Sequence, residues 1–125
     1  MIEIIATQNA PQAIGPYSQA IKANGILYTS GQIGLTPQGE LVGDITAQTR
    51  QVLNNLSEVL KAGNSSFNQV IKTTIFLDNM DYFEIVNAIY AEFFKEHKPA
   101  RSTVAVKTLP KNALVEIECI ALTNS

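Results

Sequence analysis

Residues 70–108 limit what this chain can fold into more than any other stretch. Val70 to Leu77 is rich in β-branched side chains and reads as a strand. A helix follows. It opens with Asp81, and Glu84 three residues on completes a capping-box pattern. Phe83, Val86, Tyr90, Phe93 and Phe94 mark its buried side, and Pro99 ends it. Residues 101–108 make a second strand. A strand–helix–strand unit of this length suits a parallel, right-handed crossover, so the chain must build a sheet with a helix laid on one face.

The other segments fit that frame. Residues 17–23 and 26–30 read as strands joined at Asn24-Gly25, a strong hairpin signal, and Thr36-Pro37-Gln38-Gly39 is a turn. A helix spans residues 45–62, with Asp44 as its N-cap and Gly63 as its stop. Val52, Leu53, Leu56, Val59 and Leu60 form its apolar face. A last strand covers 114–122, and a further one is expected at 3–6. The expectation is an α+β fold: a mixed, about six-stranded sheet with two helices on one face, in a single domain over 1–125. The other face then meets water or another subunit. With only 16% of residues charged, a subunit is favoured.

Bulk properties prune the functions. A chain of 125 residues buries about two-thirds of its unfolded surface. No apolar run is long enough to span a membrane, and Met1-Ile2-Glu3 lacks the basic start of a signal peptide. The single cysteine, Cys119, excludes an internal disulfide framework and is consistent with the cytosol. A net charge of −2 and nine scattered lysines and arginines argue against nucleic acid as the main partner. The lone His97 has no partner for a triad, and its place beside Lys98 suits the last turn of a helix. One histidine and one cysteine cannot build a zinc site. Cys119 reads as core within Val115-Glu116-Ile117-Glu118-Cys119-Ile120, and no glycine-rich phosphate loop is present.

Polar groups at strand ends remain. Arg101 opens an otherwise small, apolar strand, either as a solvated end or as a planar fork for a carboxylate. Glu116 and Glu118 alternate with Val115, Ile117 and Cys119 and share one face of the sheet. Glu118 reads as a surface residue. Glu116, at an interface, would need a partner or a shifted pKa, and would then suit the handling of water. Gly15-Pro16-Tyr17 is a stiff turn that aims a ring, for packing or for a ligand. Ser30-Gly31-Gln32 leaves room for close backbone approach.

Ala13-Ile14-Gly15-Pro16-Tyr17-Ser18, Thr29-Ser30-Gly31-Gln32-Ile33, Val86-Asn87-Ala88-Ile89-Tyr90, Pro99-Ala100-Arg101-Ser102 and Val115-Glu116-Ile117-Glu118 stand in an order that resembles the RidA (YjgF/YER057c/UK114) family of imine deaminases. The resemblance covers essentially the whole chain. It implies a chorismate-mutase-like fold and a homotrimer whose sheets pack inward, with clefts between subunits. It further implies hydrolysis of 2-imino acids, such as 2-iminopropanoate (the tautomer of 2-aminoacrylate) and 2-iminobutanoate, to 2-keto acids and ammonia, without a cofactor. Arg101 and Glu116 would be catalytic, and Tyr17, Ser30, Gly31, Asn87 and Thr103 would contact substrate. Thr103 stands where the family often has cysteine; the backbone carbonyl used there is unchanged. Ribonuclease activity has been attached to relatives of the family, and the acidic composition here speaks against it. A non-catalytic regulator binding keto or amino acids in the same cleft is the other reading.

Overall fold

The computed structural model describes residues 1–124. Along them run strands β1 (Ile2–Ile5), β2 (Ala20–Ala23), β3 (Ile26–Thr29) and β4 (Gln32–Ile33), helix α1 (Ile45–Ala62), strand β5 (Val70–Leu77), helix α2 (Phe83–Phe94), and strands β6 (Ala100–Ala105) and β7 (Val115–Leu122). They form one open sheet in the order β1-β2-β3-β7-β5-β6, with β4 pairing β7 beyond the end of β3. β5 and β6 are parallel, with Thr73 beside Arg101, and the other pairs are antiparallel. The fold is therefore α+β with a mixed sheet, and α2 is the crossover between the parallel strands. The sheet has seven strands rather than about six. The two-residue β4 accounts for the difference, being too short to carry a periodic signal of its own.

Alternation along β7 separates the two faces. Val115, Ile117, Cys119 and Ala121 are buried, whereas Glu116, Glu118 and Ile120 are half-buried. The buried set packs with Ile75 and Leu77 of β5, Leu53, Leu56 and Leu60 of α1, and Val86 and Phe94 of α2. Both helices thus cover the same face. On the open face Tyr28 and Val104 stay 44% and 43% exposed, with Phe76, Ile120 and Thr74 between them half-buried. No described helix is long and apolar enough to cross a membrane.

Helix α1 begins and ends as its sequence predicts, and Asp44 Oδ1 accepts from the Ala47 N–H at 2.9 Å. At its end Asn64, not Gly63, takes the left-handed conformation (φ 62°). Gly63 supplies room instead, since a Cβ there would lie 2.7 Å from the Leu27 side chain. Asn24 and Gly25 form the hairpin turn with φ of 52° and 78°. β2 begins at Ala20, three residues later than expected, because residues 7–19 form a loop. Gln19 is buried within it, accepting from the Thr7 N–H at 2.7 Å and donating to the Pro11 carbonyl at 2.6 Å. β6 stops at Ala105 rather than Thr108, one bond before the Val106 N–H reaches the Leu77 carbonyl.

Helix α2 departs from expectation at both ends. The Asp81–Glu84 capping box does not form. Asn79 Oδ1 instead accepts from the Asp81 N–H at 2.9 Å, capping a single 3₁₀ turn (Met80–Tyr82) that leads into α2 at Phe83. The helix stops at Phe94, well before Pro99. Lys95 there adopts φ 58° and ψ −119°, the first central position of a type II′ turn closed by the His97 N–H on the Phe94 carbonyl at 3.1 Å. Glycine ordinarily holds that position, and a side chain there costs about 1–3 kcal/mol. His97 consequently lies outside the helix and does not serve its dipole. Its Nε2–H donates to the Val70 carbonyl at 2.7 Å and ties the turn to β5.

Candidate active site in two halves

The first half lies at a break in the sheet's ladder. β3 ends its pairing at Tyr28 opposite Ile120, and β4 resumes at Gln32 opposite Ile117. Three residues, Thr29 to Gly31, therefore face only Glu118 and Cys119, which makes a bulge. Thr29 Oγ1 takes over one ladder bond by accepting from the Cys119 N–H at 3.0 Å. Ser30 donates its hydroxyl to the Ser18 carbonyl at 2.5 Å and its N–H to the Gln19 carbonyl at 2.9 Å. The bulge presses Gly31 against Glu116, so that a Cβ on Gly31 would lie 2.8 Å from Glu116 Cδ. Any side chain there would have to push the Glu116 carboxylate aside.

Glu116, Ser30, Gly31 and Tyr17 line one cavity of about 590 Å³, together with Ile14 and Lys111. Burial raises the Glu116 carboxyl above the usual carboxylate range, and the like charge of Glu118 on the same face adds to this. The Tyr17 N–H donates to the Gly15 carbonyl at 2.9 Å, a tight turn that places Tyr17 in the cavity lining. The residue is 54% exposed.

The second half lies on the helix face at the sheet's edge. Arg101 Nη1 donates to Asn87 Oδ1 of α2 at 2.7 Å. Its Cζ sits 4.9 Å from the Tyr90 ring centroid and 5.6 Å from that of Phe83. Tyr90 is fixed in turn by a 2.8 Å hydrogen bond between its hydroxyl and Thr73 Oγ1. Burial raises the Tyr90 phenol pKa, so the ring stays neutral under the guanidinium. Thr103, two residues along β6, shares this face, and its Oγ1 is buried with no hydrogen-bond partner among the described residues.

The two halves do not meet within one chain. Arg101 pairs Thr73, and Thr73 pairs the buried Cys119, all on the helix face, whereas Glu116 pairs Phe76 on the open face. Tyr17, Ser30, Gly31 and Glu116 are thus gathered at one place, and Arg101, Asn87 and Thr103 at another. Cys119 is core, as expected, and burial pushes its thiol up to about 12. Sequence reasoning missed Gln19, which shapes the first cavity's loop, and Lys111, which lines it. Proline before Lys111-Asn112 is the one local hint, for both residues take positive φ (56° and 57°). Tyr90 and Phe83 were legible as an apolar helix face but not as the platform for Arg101.

A family model described as Endoribonuclease L-PSP matches residues 7–123. The chain belongs to this family, the RidA (YjgF/YER057c/UK114) family. Among RidA-family relatives, a 2-iminobutanoate/2-iminopropanoate deaminase of Mus musculus is 47% identical over 96% of this chain and 90% of its own length. A Lactococcus lactis protein named as a candidate regulator, AldR, is 57% identical over 96% and 97% of the respective chains. The crystal structure of E. coli TdcF with bound serine superposes with a TM-score of 0.93 at 41% identity, covering 98% of this chain and 99% of that one. The RidA-family fold and the imine-deaminase character of named relatives agree with the resemblance read from the sequence.

Proposed function

We propose that this protein hydrolyses 2-imino acids, 2-iminopropanoate and 2-iminobutanoate among them, to 2-keto acids and ammonia. It does so in clefts between the subunits of a cytoplasmic homotrimer, without cofactor, nucleic acid or membrane. The observation that carries this reading is Arg101. No carboxylate of the chain neutralises its half-buried guanidinium among the described residues; a neutral amide and two aromatic faces hold it. Such a charge suits a substrate carboxylate. Support comes also from the named activity of the mouse relative and from the serine in E. coli TdcF, which carries carboxylate and nitrogen on one carbon.

In this reading a second copy brings its Glu116 half to the Arg101 half. Arg101 grips the carboxylate through two parallel hydrogen bonds worth about 1.5–3 kcal/mol. Backbone carbonyls near Thr103 and Ser30-Gly31 accept from the iminium nitrogen, and Tyr17 closes over the substrate. Glu116 orients a water and takes a proton from it as oxygen bonds to C2, while the C=N π electrons move to nitrogen. Glu116 then returns the proton to nitrogen. The C–N bond breaks as the C2 hydroxyl gives its own proton to the freed Glu116 carboxylate and becomes the keto C=O. That last proton passes from Glu116 to the ammonia, and 2-keto acid and ammonia depart. A raised carboxyl pKa suits a group that must both take and give a proton.

The test generates 2-iminobutanoate and 2-iminopropanoate from threonine and serine with a pyridoxal-phosphate dehydratase and follows keto-acid release. Acceleration by the protein that is lost in Arg101→Ala is the expected result. No acceleration by the native protein would favour the second reading, a ligand-binding regulator, which the name of the Lactococcus relative supports. RNA cleavage, suggested by the family description, would have to vanish in Arg101→Ala to belong to this site.

A further inference from the structure

Arg101 forms one wall of a cavity of about 430 Å³ on the helix face. Tyr90 and Phe94 line it from α2, and Lys95, His97 and Lys98 line it from the turn that follows. Three of the chain's nine lysines and arginines thus face one hollow in a protein of net charge −2, and no carboxylate lines that hollow. Neither Lys95 nor Lys98 makes an ion pair among the described residues; the ion pairs there are Arg50–Glu92 and Lys61–Glu58. A substrate with one carboxylate satisfies Arg101 and leaves two ammonium groups beside it unanswered. The volume also exceeds what a three- or four-carbon acid fills.

The backbone supplies a second, independent observation. Lys95 occupies a position of the type II′ turn that ordinarily belongs to glycine, at φ 58° and ψ −119°. The His97 bond to Val70 holds that turn against β5, so the strained geometry is built into the wall of the cavity. Strain held at a cavity wall is a mark of a ligand site. Here it is borne by a residue whose side chain ends in a cation.

We propose that Lys95 and Lys98 form a second anion subsite beside Arg101, suited to dicarboxylic 2-imino acids and to the 2-keto dicarboxylates they become. The α-carboxylate lies on Arg101 and the distal carboxylate on the two ammonium groups. The subsite rests on the reading of Arg101 as a carboxylate clamp. Because Lys95 and Lys98 are exposed, their contribution weakens as salt screens it.

Titration calorimetry with two stable keto acids separates the ideas. 2-Oxoglutarate carries the second carboxylate and 2-oxobutanoate does not. The native protein should bind 2-oxoglutarate about fivefold more tightly or better, and the preference should shrink toward parity in Lys95→Gly and Lys98→Ala and in about 0.5 M salt. Equal affinities in the native protein, or a preference that survives both substitutions, would overturn the subsite while Arg101-dependent binding of both acids leaves the clamp standing. Binding of both acids that ignores Arg101→Ala would overturn the clamp, and the subsite with it.

Discussion

In the proposed mechanism Arg101 and Glu116 divide the chemistry, and single substitutions should divide the readouts in the same way. Arg101→Ala should lower kcat/KM for 2-iminobutanoate by about 10- to 150-fold, since a charge-assisted clamp is lost and Asn87 is left holding nothing. Arg101→Lys should recover little, because a single ammonium has no planar fork to match a carboxylate. Initial rates settle both. Glu116 sits above its ordinary pKa in the folded protein, so folding favours its protonated form. The resulting penalty is absent below the ordinary carboxylate range and grows as pH rises through the raised value. Glu116→Gln should therefore slow hydrolysis yet raise Tm at pH 7 by about 1–3 °C, with the gain vanishing near pH ~4. A melting curve at each pH checks this, and the native acid limb of activity should lie above the usual carboxylate range. Gly31→Ala should cut the rate about tenfold or more with the fold retained, because its methyl displaces the Glu116 carboxylate.

At the scale of elements, the type II′ turn after α2 makes the sharpest prediction. Lys95→Gly should stabilise the protein by about 1–2 kcal/mol, read as a higher Tm or a higher denaturant midpoint, even as the cationic cavity loses a charge. Local pattern made much of this architecture legible. The apolar spacing and Asp44 cap of α1, the β-branched run of β5 and the Asn24-Gly25 turn all write their conformation within a few residues. Arg101 and Glu116 were legible too, because charged residues at fixed places on apolar strands ask for a reason. What escaped depends on partners distant in the chain. β4 exists because β7 is there to pair it, and the start of α2 is set by Asn79 rather than by the capping box written at Asp81 and Glu84. Asn55 donating to the Ile33 and Leu35 carbonyls, and Gln48 to those of Val42 and Gly43, have no local signature. Their meaning appears only when the chain has folded around them.

For the whole molecule, the opposite-face placement of the two half-sites gives a test that needs no structure of the assembly. If the proposed homotrimer holds, Arg101→Ala and Glu116→Gln chains, each impaired alone, should regain about a quarter of native activity when unfolded together and refolded as mixed trimers, since one cleft in a mixed trimer receives both intact halves. No recovery would mean that Arg101 and Glu116 do not share a cleft, and would overturn the proposed intersubunit site. The burial of Cys119 has a consequence of another kind. Its thiol is enclosed beneath both helices and titrates near 12, so at pH 8 about one folded molecule in ten thousand presents a thiolate. An alkylating reagent finds no other sulfhydryl on the chain. Each adduct seen by mass spectrometry therefore records one opening of the sheet, and the native protein carries its own clock for how often it comes apart.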